Sequence, residues 1–320
     1  MANTKNNQNV LIRHPILEFI RDIIGFIVGR VLLRFCPKFV NLVYDKLNYR
    51  LLKYFVGHSV FGKPKCSFNW HVTLKNRQIL KIDVNPADIY SLGYAFDYKI
   101  HDVGLKRVQE YLIQKMHEKS LYIDIGSNVG VSSIYALSCK RSCWLFEPNI
   151  SLRPFVEKLF KINNFSTARF FDIALSNFSG KHDFFVSSSS FLSSFDKDHA
   201  ESEGEVVKIQ VDLQTLDSYL HDISKIATDL VVKIDVEGHE MAVLQGAVGI
   251  LKKFKPPVML EVLKNTGSRV EAFNFMSNLN YKCFGILNTD YLNLNHLALV
   301  EAMEEFSDIN FLFVCDSYKI

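Results

Sequence analysis

The sequence predicts an α/β fold: a mostly parallel, doubly wound sheet with a terminal antiparallel hairpin and an N-terminal helical extension. Three observations carry this reading. From residue 120 onward, short apolar strands alternate with segments of helical spacing, the pattern of a parallel sheet covered on both faces. The run "SLYIDIGSNVG" at 120–130 ends an apolar strand in an acid and follows it at once with a glycine-rich turn. The chain closes with "YKCFGIL" and "NFLFVC", two further strand candidates.

Residues 1–9 are polar. Residues 14–56 read as helices, broken near "CPK" at 36–38, and "VFGKPK" at 60–65 is a turn-rich joint. The alternation in "FNWHVTLKNRQILKIDV" at 68–84 predicts a hairpin with its turn near Asn76. Residues 103–116 have helical spacing. The strands of the sheet are expected at 121–124, 143–147, 168–172, 230–235 and 258–261. Helices are expected at 128–138, 151–163, 239–252 and 268–279. Between the third and fourth strands lies an insertion at about 180–210, where "KHDFFVS", a serine-rich stretch and "EVVKIQV" predict an antiparallel pair joined by a long loop. Three regions result: a basic apolar helical extension at 1–60, an accessory hairpin and helix at 61–117, and a core domain at 118–320.

The chain has 320 residues, 48% hydrophobic and 22% charged, which suits one large α/β unit with an appendage. None of the six cysteines forms a CxxC pair, so zinc and redox motifs have no support and reduced thiols in the cytoplasm are expected. The net charge of +3 is uneven. Residues 1–60 hold nine Lys or Arg against three Asp or Glu, a net +6, which leaves −3 for the other 260 residues. The body therefore lacks the basic footprint of a nucleic-acid binder, and no nucleic-acid partner is expected.

"HPILEFIRDIIGFIVGRVLLRF" at 14–35 is apolar but interrupted by Glu18, Arg21, Asp22, Arg30 and Arg34. Its longest uncharged run, 23–29, is far short of the roughly 20 residues that span a bilayer. It carries no small-residue cleavage site, so a signal peptide is not expected. Two readings stay open for residues 10–56. One is a helical extension packed on the body or on a protein partner. The other is a basic interfacial helix that makes a peripheral membrane contact.

The glycines at the mouth of the first strand let the backbone approach a ligand beside a helix N-terminus. A dinucleotide fingerprint needs glycines at 128 and 131, where this chain has Asn128 and Val131. A Walker loop is absent. The observed pattern, Asp124-x-Gly126-x-Asn128-x-Gly130, suits a ligand without a pyrophosphate and with an amino-acid end. Glu147 ends the second strand, 21 residues after Gly126, where a carboxylate accepts ribose hydroxyls. Asp172, at the end of the third strand, is placed to reach an adenine edge. Ribose, adenine and an amino-acid tail together describe S-adenosylmethionine.

With these residues in hand, "YIDIGSNVG", "FEPN", "ALSNFSG", "VDLQTLDSYL" and "VVKIDVEGHEMAVLQGA" resemble, in that order, the FkbM-type methyltransferase family over roughly residues 95 to 315. The most specific block holds Lys233, Asp235, Glu237, Gly238, Glu240, Leu244, Gly246 and Ala247. The resemblance implies a Rossmann-like class I fold, S-adenosylmethionine as cofactor, and O-methylation of a hydroxyl on a sugar, glycan or natural product. The family usually shows "DIGAN", and Ser127 replaces the alanine here. His239 fills a position that varies in the family. The first ~90 residues lie outside the resemblance.

Methyl transfer from a sulfonium needs acceptor oxygen, methyl carbon and sulfur in line, and a base for the hydroxyl proton. The acceptor belongs outside the carboxyl ends of the first and fourth strands. Asp235 lies at that tip with Glu237, His239 and Glu240. Asp235 or His239 is the expected base, and His239 has the better ordinary pKa for the task. Glu237 and Glu240 are expected to orient the turn or touch the acceptor, although acids in a first helical turn are also favoured by the dipole alone. That dipole accounts for the acids without a cation, so no metal is expected. Lys233, inside an apolar strand, needs a partner, for which Glu261 is the candidate. Glu261 itself ends the fifth strand and is read as facing the acceptor. "VSSSSFLSSF" at 186–195 is either a plain flexible loop or a substrate loop. In the second case Ser190 bonds the acceptor and Phe191 or Phe195 stacks on it. Three competing functions are a non-catalytic scaffold of this fold, a nicotinamide-dependent oxidoreductase, and a nucleic-acid or amino-group methyltransferase, which often carries an Asn/Asp-Pro-Pro-aromatic tetrad after the fourth strand where this chain has "DVEG". The oxidoreductase is opposed by Asn128 and the missing third glycine.

Overall fold

The computed structural model describes residues 37–46, 67–85, 87–96, 98–187, 193–201, 205–264, 268–289, 291–315 and 318. These residues fall into two compact units, one within Met1–Val72 and Ile82–Ile100 and the other within Thr73–Lys81 and His101–Ile320.

In the first unit, helix Pro37–Lys46 buries Val40, Asn41 and Tyr44 on one face and exposes Phe39, Leu42 and Val43 on the other. Tyr44 meets Trp70 edge-on at 5.2 Å, and Asn41 Oδ1 accepts from the His71 N–H at 2.9 Å. The alternation read at 68–84 becomes β1 (Phe68–Thr73) and β2 (Ile79–Val84), a two-stranded sheet. Every second residue is buried in each strand, as a period of two requires. The other residues of the expected helical extension lie outside those described. Among the described residues no helix is long and apolar enough to cross a membrane.

The second unit is built on β3 (Ser120–Ile125), β4 (Ser142–Phe146), β5 (Ala168–Phe171), β9 (Asp229–Ile234), β10 (Val258–Glu261), β11 (Tyr281–Ile286), β12 (Leu294–Leu297) and β13 (Asn310–Cys315). Their order across the sheet is β12-β11-β13-β10-β9-β3-β4-β5. β3, β4, β5, β9 and β10 are parallel. β13 runs antiparallel between β10 and β11. This is the doubly wound sheet and antiparallel end that the alternation predicts. All six residues of β3 are buried, because helices cover both faces of a central parallel strand.

The insertion forms a separate sheet from β6 (Ala174–Leu175), β7 (Gly180–Ser187) and β8 (Val206–Gln214), in the order β6-β8-β7. β7 and β8 are the expected antiparallel pair.

Two helices differ from their predicted lengths. The expected helix at 128–138 is helical only over Ile134–Ser138. Positive φ at Gly126, Asn128 and Gly130 spends the preceding residues on a turn. The expected helix at 239–252 is two helices, Glu240–Gln245 and Val248–Phe254. The Asp217 carboxylate accepts from the N–H groups of Gly249 and Ile250 at 2.7 and 2.8 Å, capping a fresh helix start.

Candidate active site

The carboxyl ends of the parallel strands form one edge of the sheet, and a cavity of about 310 Å³ opens there. Gly126, Asn128, Glu147, Asp235, Glu237 and Glu261 all line it. They come from the ends of four adjacent strands, β4, β3, β9 and β10, which is why residues spread over more than a hundred positions converge.

Gly126 begins the turn after β3 with φ +74°. A Cβ there would lie 1.8 Å from the Asp235 carbonyl oxygen, so only glycine admits the close approach of the two loops. Glu147 stands one residue past β4. Its Oε2 accepts from the Asn128 N–H at 2.8 Å and its Oε1 from the Asn149 N–H at 2.9 Å. These bonds fix the carboxylate in the cavity wall and leave lone pairs for a diol. Burial pushes the Glu147 carboxyl up to about 7, against the two N–H groups that favour its charge.

At the other end of the cavity, Asp235, Glu237 and Glu261 bring carboxylate oxygens within 4.8 Å of one another, a spacing that carboxylates around a divalent cation also adopt. Here one charge is already compensated. Lys233 Nζ donates to Asp235 Oδ2 at 2.8 Å and lies 4.0 Å from Asp124 Oδ1. Burial by itself would lower the Lys233 ammonium, but Asp235 and Asp124 outweigh it and hold the charge. Lys233 thus pairs first with Asp235 rather than with Glu261, and it lines the cavity. Burial, then the Asp235 charge, raises both remaining carboxyls; Glu237 rises to about 8. Glu237 adopts φ +51°, a conformation disfavoured for a side chain with a Cβ.

Of the other expected site residues, Asp124, Gly130, Asp172, His239 and Glu240 do not line the cavity. Asp124 is fully buried and its Oδ2 accepts from Ser133 Oγ at 2.7 Å. Gly130 closes the turn with φ +78°, its N–H donating to the Ser127 carbonyl at 2.7 Å. Asp172 follows the end of β5 and is held by Arg153. His239 Nε2 lies 3.0 Å from Ser176 Oγ, and its ring packs on Phe195 at 4.5 Å. Burial, then His182, lowers its pKa. Glu240 Oε1 accepts from the Gly238 N–H at 2.8 Å, so it orients the turn. Ser190 and Phe191 lie outside the described residues, while Ser193 and Phe195 of the same serine-rich stretch line the cavity.

Two further contributors come from the insertion, and only His199 had no signal in the sequence. His199, on the short helix Lys197–Glu201 of the insertion, places Nε2 3.0 Å from Glu237 Oε2. Ser194 Oγ donates to the Glu237 carbonyl at 2.7 Å. The insertion therefore holds the Glu237 turn from outside. Asp102 and Gln109, at the start and on one face of helix Val103–Lys115, complete a wall.

Ser127 also lines the cavity, and its hydroxyl is buried without a hydrogen-bond partner, an orphan polar group of the kind a bound ligand can satisfy. The turn, the Glu147 carboxylate and this hydroxyl together fit a nucleoside carrying an amino-acid tail.

The Methyltransferase FkbM domain matches residues 124–283. No curated protein matches the chain. Among solved structures, an FkbM methyltransferase from Methylobacillus flagellatus is 13% identical with a TM-score of 0.39 over 62% of this chain. The matched part spans only 44% of that protein. A precorrin-6y C5,15-methyltransferase from Geobacter metallireducens is 10% identical, TM-score 0.36, over 66% of this chain and 85% of its own. A SAM-dependent methyltransferase from Agrobacterium tumefaciens is 7% identical, TM-score 0.39, over 79% of this chain and 72% of its own.

Proposed function

Because this chain belongs to the FkbM methyltransferase family, we propose that it methylates a hydroxyl oxygen of a sugar, glycan or natural product with S-adenosylmethionine as cofactor. Glu147 accepts the ribose hydroxyls, and the turn from Gly126 to Asn128 faces the rest of the nucleoside. When bound, the cofactor supplies a methyl group already attached to a good leaving sulfur.

The observation that carries the reading is the placement of Glu237 in the cavity wall, its carboxylate within 4.8 Å of those of Asp235 and Glu261. Its carboxyl lines the cavity and is raised to about 8, first by burial and then by Asp235. A base with that affinity accepts a proton from an attacking hydroxyl near neutral pH far better than an ordinary carboxylate does. His199 holds the carboxylate in place. Asp235, tied to the Lys233 ammonium, is the fixed negative charge that keeps Glu237 basic. Proton removal thus moves from the expected Asp235 or His239 to Glu237, since His239 points at Ser176.

Calorimetric titration with S-adenosylhomocysteine, with NAD as control, tests the cofactor. Transfer of labelled methyl to an array of glycans and hydroxylated small molecules, with the product bond assigned by NMR, tests the acceptor atom. A methyl found on nitrogen or carbon overturns O-methylation. Absence of both binding and transfer favours the scaffold reading.

Peripheral membrane contact through residues 10–56 is a second reading, favoured by the exposed Phe39, Leu42 and Val43 beside Lys38 and Lys46. Co-sedimentation with anionic liposomes at low salt, lost on Leu42→Glu, tests it.

A further inference from the structure

The row of strand ends does not stop at Glu261. β13 is antiparallel to β10 and pairs Asn310 with Glu261, so its first residues lie on the same edge of the sheet. β11 is antiparallel to β13 in turn, so its last residue, Ile286, returns to that edge. A second cavity of about 180 Å³ lies there, lined by Asn288, Asp308 and Asn310 together with Ile286. Asp102, Leu105 and Ile309 line both cavities, so the two adjoin.

The second cavity is built rather than incidental. The Asn288 Oδ1 accepts from the Gly104 N–H at 3.1 Å, which aims its amide N–H₂ elsewhere. A Cβ on Gly104 would lie 2.2 Å from the Leu287 carbonyl oxygen, so a glycine permits this contact. The buried Arg269 guanidinium donates to the carbonyls of Phe306 and Asp308 at 2.9 and 2.7 Å and fixes the segment that carries Asp308 and Asn310. The polar lining is two carboxylates and two carboxamides, with no Lys or Arg. Such planar groups bond neutral vicinal hydroxyls, and the absence of a cation from the lining disfavours phosphate or carboxylate ligands.

We propose that this cavity is an acceptor subsite for a second polyhydroxylated unit, so that the natural acceptor is an oligosaccharide or glycoside rather than a single sugar. The proposal rests on the hydroxyl-methylation reading above and deepens it. The reacting hydroxyl sits at Glu237 and Glu261, and the next sugar lies beyond Glu261, away from Glu147.

The test compares mono-, di- and trisaccharides from the glycan array as acceptors for wild type, Asn288→Asp and Asp308→Ala. Asn288→Asp keeps an oxygen that accepts from Gly104 and replaces the amide donor with a charged acceptor. In wild type the KM of a methylated disaccharide falls at least about 10-fold below that of its monosaccharide, the worth of one or two net hydrogen bonds. Each variant raises the disaccharide KM by about the same factor, with monosaccharide KM and S-adenosylhomocysteine affinity unchanged. Equal KM for one and two units overturns the subsite and leaves O-methylation standing. A disaccharide preference untouched by both variants overturns its location. Methyl transfer to hydroxyls of non-sugars alone overturns both the sugar reading and the subsite.

Discussion

His199 Nε2 lies 3.0 Å from Glu237 Oε2, joining an insertion between two strands to the cavity that follows a third. Residues 38 positions apart thus share one site. His199→Ala frees the carboxylate to rotate, and kcat for the acceptor found by the array is expected to fall about 10-fold or more, the scale of losing an orienting partner. S-adenosylhomocysteine affinity is expected to stay as in wild type. His199→Gln, which retains an N–H donor, restores most of the rate. An equal loss in both variants would show that His199 only packs.

The pH dependence follows from the raised Glu237 carboxyl. As base, Glu237 must be ionised, so kcat/KM rises with pH through an apparent pKa near 8. Glu237→Gln removes that limb along with most of the activity. Stability runs the other way. The folded state keeps the Glu237 proton up to about 8, whereas the unfolded chain loses it near 4.5. Its contribution is full below 4.5 and is lost as pH rises toward 8. The gap between denaturant melts at pH 5 and pH 8 is therefore expected to narrow in Glu237→Gln, the rest being carried by the raised carboxyls of Glu147 and Glu261.

Lys233 compensates two acids at once. Lys233→Met leaves buried Asp124 and half-buried Asp235 without their cation and is expected to cost about 3 kcal/mol in urea unfolding, the lower end of the loss on breaking a buried pair from one side. The fixed ammonium also stands where a divalent cation would be repelled. Activity is expected to survive EDTA and dialysis unchanged. A chelator-sensitive rate restored by Mg²⁺ would reassign the three carboxylates to a metal.

Gly126→Ala places a methyl group 1.8 Å from the Asp235 carbonyl at a backbone angle that disfavours any Cβ. The loops must part. A strain of about 1–3 kcal/mol is expected, with S-adenosylhomocysteine binding weakened about 10-fold or more in calorimetry.

Glu147→Gln keeps the shape of the side chain but replaces two charge-assisted acceptors with one neutral oxygen. Binding of S-adenosylhomocysteine is expected to weaken about 10- to 100-fold, the difference between charged and neutral hydrogen bonds to a diol. Binding equal to that of wild type would remove Glu147 from the cofactor site.

Much of this site was legible before any coordinate. Gly126, Asn128, Glu147, Asp235, Glu237 and Glu261 each end, or directly follow, an apolar strand. In a parallel sheet the strand ends share one edge, so their order along the chain was enough to bring them together. What the linear pattern does not carry is direction and distance. His239 and Glu240 start a helix, where each step turns a side chain by about 100°, and this phase sends them to Ser176 and to the Gly238 N–H instead of into the cavity. Asp172 is at a strand end as read, but Arg153 holds it outside the cavity lining. His199, Asp102 and the Lys233–Asp235 pair depend on contacts between segments far apart or on which of two acids a lysine reaches. Local spacing determined the order of elements and the acids at their tips, because those reflect only neighbouring residues. The tertiary structure decided which tips point inward and what holds them, because burial and register act through packing across the whole sheet.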